Sequence, residues 1–319
     1  MGNVPTLDDL ANSLRAHPGW TSKSTIGLVS EVLGPSDWQE GPGDDGAVVP
    51  TAGGRVVACG EALLPAFVAR DPRGAGFAAV LTNVNDLAAM GAVPRGIVDT
   101  VVADEMTARA VLEGIRHACT LYDVEVLGGH LTRHDGEPAV SAFGVGEVDV
   151  PLSVTRARPG QSLVVAAATD GRMRADFPFF PAFEQRAERS AGDVRTLARL
   201  ASTGAAVAAK DISMAGLVGS LAMLLEWGPL GVTLDLDAVP APAGVAPLAW
   251  LTCFPSFGFL LCVRPGREGE ALAAFHERGI AAAVVGELDD TGLLDLRRGT
   301  ETATVVDLRT EPVTRLVRR

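Results

Sequence analysis

The chain has 319 residues with a formal net charge of −12, and it is 47% hydrophobic and 21% charged. This length allows about two domains with buried cores, and the composition excludes an intrinsically disordered protein. The acidic balance argues against a nucleic-acid partner, which requires a basic surface. No apolar run reaches the roughly 18 residues that a membrane helix needs, so we expect a cytoplasmic protein without a membrane partner.

The first half of the chain mixes helices with short strands. Leucine spacing predicts a helix over 7–16. A second helix is predicted over 23–33, ending at Gly34-Pro35. Two short strands follow, over 47–49 and 55–59, and then an irregular segment over 63–72. A long apolar pattern predicts a buried helix over 74–90. The rest of this half is predicted to contain strands over 95–102, 125–127 and 139–148, a helix over 108–121 and a loop over 128–137.

A domain boundary is predicted where Pro151, Pro159 and Gly160 interrupt the pattern. The chain is therefore divided into an N-terminal domain, 1–153, and a C-terminal domain, 154–319. The second half repeats the mixture of strands and helices, which favours an α/β or α+β fold rather than a pure βαβ repeat. The strands predicted there cover 162–168, 205–209, 231–236, 257–263 and 280–287, and the helices cover 191–202, 216–227, 246–252 and 267–278.

The stretch Gly43-Asp44-Asp45-Gly46 places two adjacent carboxylates before a strand. Neighbouring aspartates repel each other and disfavour both helix and sheet. A hard cation such as Mg²⁺ would compensate this cost, because carboxylate oxygens are its preferred protein ligands. A solvated turn leading into the strand is the alternative interpretation.

A second polar group lies inside the predicted helix over 74–90. Asn83 and Asp86 are three residues apart, so they share one face of that helix. A carboxylate on a buried helix requires a cation or hydrogen-bond donors. The spacing therefore suggests a functional role for both side chains.

Two further groups are weaker signals. Gly128-Gly129-His130 follows a predicted strand, where glycines allow backbone amides to approach a phosphate. Lys210 and Asp211 precede the helix over 216–227, whose amino end is a natural anion site, although a simple helix cap is the alternative. No Walker sequence, dinucleotide-binding glycine motif or nucleophile elbow occurs.

In this order, the motifs GDDGAVV at 43–49, NVNDLAAMGAVP at 83–94, GGHLT at 128–132 and DIS at 211–213 resemble the PurM-like superfamily. This superfamily includes aminoimidazole ribonucleotide (AIR) synthetase, thiamine-monophosphate kinase, selenophosphate synthetase and a hydrogenase-maturation protein. Three further segments resemble the AIR synthase-related branch that includes methanogenesis marker 2, at 172–183, 211–226 and 234–242. The resemblance covers roughly residues 20–290.

The resemblance implies a two-domain fold whose N-terminal mixed sheet forms a β-barrel across a homodimer, with ATP at the dimer interface and Mg²⁺ held by aspartates. Carried over by position, Asp44, Asp45 and Asp86 would be the metal ligands. The groups expected to bind the nucleotide are Lys23, Asp44, Asp45, Asn83, Asp86, Gly128 and Gly129. The candidate catalytic residues are His130, Lys210 and Asp211.

Two departures affect the expected reaction. Met214-Ala215 stands where thiamine-monophosphate kinase has Asp-Gly, and GGH at 128–130 replaces a GGD block. The cysteines that selenophosphate synthetase and the hydrogenase-maturation protein use also have no counterpart. We therefore expect an ATP-dependent enzyme acting on another small-molecule substrate. A nucleotide-binding sensor or assembly subunit is one alternative, and a carboxylate-metal protein without nucleotide is another.

Overall fold

The structure is a computed structural model that describes residues 6–35, 40 and 43–317. The helices are α1 Leu7–Arg15, α2 Pro18–Thr21, α3 Leu28–Leu33, α4 Pro65–Arg70, α5 Pro72–Ala89, α6 Glu105–Tyr122, α7 Ser190–Val194, α8 Thr196–Ser202, α9 Gly216–Leu225, α10 Pro247–Thr252 and α11 Glu268–His276. Shorter 3-10 helices cover Ser22–Gly27 and Val154–Arg156. None of the helices in the described ranges combines the length and apolar character required to span a bilayer.

The strands come in the following chain order. They are β1 Ala47–Thr51, β2 Gly54–Leu63, β3 Val93–Ala103, β4 Glu125–Arg133, β5 Ala139–Glu147, β6 Ser162–Ala167, β7 Phe179–Phe180, β8 Ala206–Asp211, β9 Gly231–Asp235, β10 Phe254–Pro255, β11 Gly258–Val263, β12 Ala281–Asp289, β13 Leu293–Arg298 and β14 Glu301–Asp307.

The chain divides into two compact units, each assembled from separate segments. The N-terminal unit consists of Asp45–Pro151 and Arg186–Ser202. The C-terminal unit contains the described residues up to Asp44, then Leu152–Gln185 and the chain from Thr203 onward. The predicted division had a single boundary after residue 153. In the structure, the described residues up to Asp44 belong to the C-terminal unit, and α7 and α8 belong to the N-terminal unit. An amphipathic pattern such as that of α1 shows that the helix covers a core, but not which core it covers.

The N-terminal unit is built on a five-stranded mixed sheet in the order β1-β2-β5-β3-β4. Only the pairing of β3 with β4 is parallel among the described strands of this sheet. Alternate residues of β3, including Ile97 and Val101, are fully buried beneath the helices. The intervening residues point to the other side of the sheet, which we call the open face.

The open face lies opposite a closely packed helix pair. A Cβ atom on Gly76 of α5 would lie 2.0 Å from the carbonyl oxygen of Val111, and one on Gly114 of α6 would lie 2.0 Å from that of Arg73. Only glycine therefore permits α5 and α6 to approach this closely. Helix α5 is buried on nearly all sides, which confirms the prediction of a buried helix over 74–90.

Three local predictions for the first part of the chain were wrong. The segment predicted as irregular over 63–72 contains α4, which begins at a proline in the first turn, where proline is well tolerated. The helix predicted over 23–33 begins as a 3-10 helix and becomes α-helical only at Leu28. The loop predicted over 128–137 is strand as far as Arg133.

The C-terminal unit contains a seven-stranded sheet in the order β14-β13-β9-β12-β6-β11-β8. Its apolar core includes Leu163, Leu221, Leu260 and Leu296, and α1 contributes Leu10 to the same cluster. The hairpin of β13 and β14 was not predicted. It follows β12 after a short turn, and charged residues alternate with apolar ones along its strands, so no apolar run marks it in the sequence. With its mixed sheets in both units, the structure confirms the predicted two-domain α/β fold class.

Candidate metal centre

Asn83 connects α5 to the sheet of the N-terminal unit and is completely buried. Its Nδ2 donates to the carbonyl oxygens of Ala79, at 2.7 Å, and Ala142, at 3.1 Å. Its Oδ1 accepts from the amide of Gly144 at 2.8 Å. The side chain that was predicted to contact nucleotide therefore uses its amide group inside the protein, where it fixes this turn of α5 against β5.

One turn after Asn83, the carboxylate of Asp86 projects towards Asp45. Oxygen atoms of these two half-buried aspartates lie within 4.8 Å of each other. Two carboxylates at this distance repel each other unless a proton or a cation compensates their charge. The structure thus brings together two of the three aspartates that were predicted to bind metal.

Cys59 and Glu61 of β2 extend this group of polar side chains, and the sequence prediction missed both. The thiol of Cys59 lies 3.2 Å from the Oδ1 of Asn83. Burial raises the pKa of this thiol, and the charges of Asp86, Asp45 and Glu61 raise it further. Burial and these nearby negative charges therefore favour the neutral form of the Cys59 thiol. The alternation of Val57, Cys59 and Glu61 along one strand face could have revealed Glu61, but the predicted strand ended at Cys59.

Asp44 is held by different contacts. Its Oδ2 accepts from the hydroxyl of Ser153 at 2.6 Å, and its Oδ1 accepts from the amide of Val154 at 2.7 Å. Both partners belong to the C-terminal unit, as Asp44 itself does. Its carboxylate thus stabilises the start of the 3-10 helix Val154–Arg156.

The three residues Gly128, Gly129 and His130 lie within β4 and not in a turn. Gly129 is opposite Asp99 of β3, and a Cβ at Gly129 would lie 2.7 Å from a carboxylate oxygen of Asp99. His130 is opposite Thr100, so it belongs to the open face. Since α5 packs on the other face, His130 and Asp86 of one unit lie on opposite sides of the sheet.

The remaining predicted residues lie in the C-terminal unit. Lys210 and Asp211 end β8, and both side chains are buried. Burial raises the pKa of Glu226, and the charge of Lys210 is among the influences that lower it, so the ammonium group lies near that carboxylate. Lys23 is half-buried in the 3-10 helix Ser22–Gly27.

The chemistry of the donor set suits a hard divalent cation. Mg²⁺ binds oxygen ligands at about 2.0–2.1 Å, so two ligands on opposite sides of one ion lie about 4.2 Å apart. The Asp45 and Asp86 oxygens lie within 4.8 Å of each other, which is near enough for one ion to contact both after a small adjustment. Asp45 and Asp86 are thus the described residues of the N-terminal unit that would hold such an ion, with Glu61 nearby.

Comparison with known proteins places the chain in a family. Residues 43–148 match the model of the AIR synthase related protein N-terminal domain, and residues 163–298 match that of the C-terminal domain. Protein sll0787 of Synechocystis sp. is 32% identical over 275 residues, which are 85% of either chain. The chain belongs to the AIR synthase related family. The first three sequence motifs lie within the N-terminal match, and the motif at 211–213 lies within the C-terminal match.

Solved structures share the fold of this AIR synthase related protein. T. maritima PurL complexed with ADP superimposes with a TM-score of 0.77 at 19% identity over 96% of this chain. The chain spans 52% of the length of that PurL. AaThiL complexed with AMPPCP and TMP gives a TM-score of 0.65 at 18% identity, covering 88% of this chain and 95% of that one. At these identities the likeness establishes the PurM-like fold alone.

Proposed function

We propose that this protein is an ATP- and Mg²⁺-dependent phosphoryl-transfer enzyme of the ligase, cyclase or kinase type. Its acceptor would be a carbonyl, amide or phosphate oxygen of a small metabolite. The motifs at 172–183, 211–226 and 234–242 favour the branch that includes methanogenesis marker 2. The fold itself is compatible with several reactions, so the proposal depends on the site.

The pair of Asp45 and Asp86 is the observation that carries this proposal. The two carboxylates face each other in a family whose solved structural neighbours include proteins complexed with ADP and AMPPCP. Asn83 fixes the helical turn that precedes Asp86 through three hydrogen bonds. A carboxylate that is carried on a fixed helical turn and lies beside a second carboxylate fits a site prepared for a cation.

In the proposed reaction, the acceptor oxygen bonds to the γ-phosphorus as the bond to the bridging oxygen of ADP breaks. ADP leaves with that electron pair. A bound Mg²⁺ would neutralise phosphate charge as the bonds change. Asp45 and Asp86 would bind and orient the metal–nucleotide complex. The roles predicted for His130, Lys210, Asp211 and Lys23 remain predictions, and His130 could approach a nucleotide only from the open face.

We also propose a homodimer formed through the open face. Several of the side chains that point to this face are apolar and partly or largely exposed. Val49 and Phe143 are 45% and 46% exposed, and Phe143 packs over Gly60. Exposed apolar side chains on one face of a sheet fit an interaction site. Analytical ultracentrifugation of Phe143→Glu beside the wild type tests this proposal, and we expect the variant to be monomeric.

Calorimetric titration with AMPPCP tests the nucleotide site. We expect binding that requires Mg²⁺ and that falls at least about tenfold in Asp86→Asn, since a metal ligand loses its charge. Asp149→Asn, an exposed aspartate of the same unit, is the matched control and should bind like the wild type. Undiminished binding by Asp86→Asn would contradict the proposed site.

A catalytically inactive nucleotide-binding sensor is the second candidate. Met214-Ala215 favours it, because this position lacks the acidic residue found in thiamine-monophosphate kinase. Met214 is 38% exposed, and its carbonyl oxygen would lie 1.9 Å from a Cβ placed on Gly19, so the backbone is tightly packed there. Release of phosphate or ADP from ATP in the presence of candidate acceptors distinguishes the two functions. An enzyme turns over, whereas a sensor binds ATP and stops.

A further inference from the structure

Asp99 of β3 carries a carboxylate that is almost completely buried and has no partner on another described residue. The residue is 6% exposed, and no described residue other than Asp99 itself donates a hydrogen bond to its side chain or forms an ion pair with it. Burying a charge without a partner costs free energy. Natural proteins accept local costs of this kind mainly at functional sites, so Asp99 is a candidate for binding a ligand.

This carboxylate lies over the edge strand β4, where Gly129 leaves space for it. A Cβ atom on Gly129 would lie 2.7 Å from a carboxylate oxygen of Asp99, so the oxygen takes the place of a side chain on the helix side of β4. Leu131 and Arg133 are the next two residues of β4 that point to the same side. A negative, an apolar and a positive group therefore follow one another along β4, and we call this series the β4 row.

A groove of about 480 Å³ lies beside the β4 row, within the N-terminal unit. It is formed by α6, β4 and the end of β3, and its apolar lining consists of Ala103, Ala108, Leu112 and Leu131. Leu112 and Leu131 are 40% and 56% exposed. Concave sites of this size, with apolar walls and a few polar groups, are typical of small-molecule binding.

Charged side chains complete the lining of the groove, and most of them are arginines. They are Arg109, Arg116, Arg133, Glu105 and Glu113. Arg109 is paired with Glu105 at 3.4 Å, and Arg133 approaches Asp135 at 3.8 Å. All four of these side chains are exposed, so both contacts contribute little. The guanidinium of Arg116 has no ion pair with another described residue, so Arg116 and Arg133 are available to an anionic group.

We propose that this groove binds a small zwitterion, whose ammonium group donates to Asp99 and whose carboxylate group binds Arg116 and Arg133. The ammonium group supplies the partner that the buried carboxylate lacks. Each guanidinium presents its N–H donors in a planar fork that matches a carboxylate. An apolar chain between the two charges packs on the apolar lining of the groove.

The length of the ligand follows from the β4 row. Gly129 and Arg133 are four residues apart, so their Cα atoms are separated by about 13 Å along the strand. The long side chain of Arg133 lines the groove, so the ligand itself spans less than this distance. A linear amino acid such as 6-aminohexanoate meets this requirement. The inference does not rest on the proposed function, because Asp45 precedes β1, and β1 and β4 are opposite edges of the sheet.

Titration followed by NMR of the leucine methyl groups measures weak binding and locates it in one experiment. The probes are 6-aminohexanoate, hexanoate, which lacks the ammonium group, and hexylamine, which lacks the carboxylate group. We expect the methyl resonances of Leu112 and Leu131 to shift. We also expect 6-aminohexanoate to bind about tenfold more tightly than either of the other probes, because each charged hydrogen bond adds to the affinity.

Two variants each remove one of the charge contacts. Asp99→Asn should reduce the affinity for 6-aminohexanoate about tenfold, to that of hexanoate, without weakening hexanoate itself. Arg116→Gln/Arg133→Gln should reduce it to that of hexylamine, without weakening hexylamine itself. Arg55→Gln changes an exposed arginine of β2 in the same unit, so it is the matched control and should bind all three probes like the wild type.

The melting temperature of Asp99→Asn separates weaker binding from unfolding. Removal of a buried charge without a partner should raise this temperature at pH 7, so a folded and more stable variant should bind 6-aminohexanoate less tightly. The inference is overturned if the wild type binds the three probes equally, or if the methyl shifts exclude Leu112 and Leu131. An equal loss for all three probes in either variant would also overturn it, since the two charges would then not be recognised separately.

Discussion

Asn83 allows the most detailed prediction about the site. In Asn83→Ala, the amide of Gly144 and the carbonyl oxygen of Ala142 lose their side-chain partner in a region closed to water. Ala79 keeps the hydrogen bond of its carbonyl oxygen within the helix. Each buried polar group without a partner costs about 1–3 kcal/mol. We therefore expect the free energy of unfolding to fall by about 2–6 kcal/mol.

Thr82 provides the matched control for this substitution. Its hydroxyl donates to the carbonyl oxygens of Ala78 and Ala79 in its own helix. Thr82→Ala leaves no buried donor without a partner, so we expect a change within about 1 kcal/mol. Urea denaturation followed by circular dichroism measures both variants.

Hydrogen exchange at the amide of Gly144 provides a local readout, since this proton is donated to Asn83. We expect faster exchange there in Asn83→Ala and wild-type exchange in Thr82→Ala. Equal stabilities of the two variants, or unchanged exchange at Gly144, would refute the bridging role of Asn83.

Three further predictions concern the N-terminal unit. Arg186 and Asp193 form a buried ion pair at 2.8 Å, so Arg186→Met should lower the free energy of unfolding by about 3–5 kcal/mol, whereas a loss under 1 kcal/mol in urea denaturation would contradict this. Burial raises the pKa of Asp99 above its ordinary value of 3.8, so the folded state binds this proton more tightly than the unfolded state does. The protonated form therefore stabilises the protein below pH 3.8, and this stabilisation is lost as the pH rises through the folded-state pKa. Asp99→Asn should therefore melt higher than the wild type at pH 7 but not at pH 3, and an equal shift at both values would count against this assignment. Gly129→Ala should lower the melting temperature, because its methyl group would overlap Asp99, and unchanged melting would show that the strand can adjust.

The elements with strong periodic patterns were predictable from the sequence. Helix α5 was predicted over 74–90 and covers Pro72–Ala89, because its alanine-rich run ends in ordinary helix-terminating residues. The glycines at 128 and 129 were misinterpreted as a turn. They lie in β4, where Gly129 leaves room for the carboxylate of Asp99. This requirement comes from the neighbouring strand and has no local sequence signal.

The candidate site was predictable as a set of residue types, but not as a set of contacts. The motif spacing identified Asp45 and Asp86, and the structure brings their carboxylates together. The same motif gave Asp44 an identical expected role, since adjacent aspartates look alike in a sequence. Only the positions of Ser153 and Val154, more than 100 residues later, distinguish Asp44 from Asp45. Glu61 was missed because β2 continues beyond its apolar part.

The proposed function requires the Asp45–Asp86 pair to bind a metal–nucleotide complex. Calorimetric titration of the wild type with AMPPCP, with and without Mg²⁺, tests it most directly when Asp86→Asn and Asp149→Asn are measured beside it. We predict Mg²⁺-dependent binding in the wild type and in Asp149→Asn, with a large loss in Asp86→Asn. No binding by the wild type at millimolar AMPPCP, or equal binding with and without Mg²⁺, would contradict the claim.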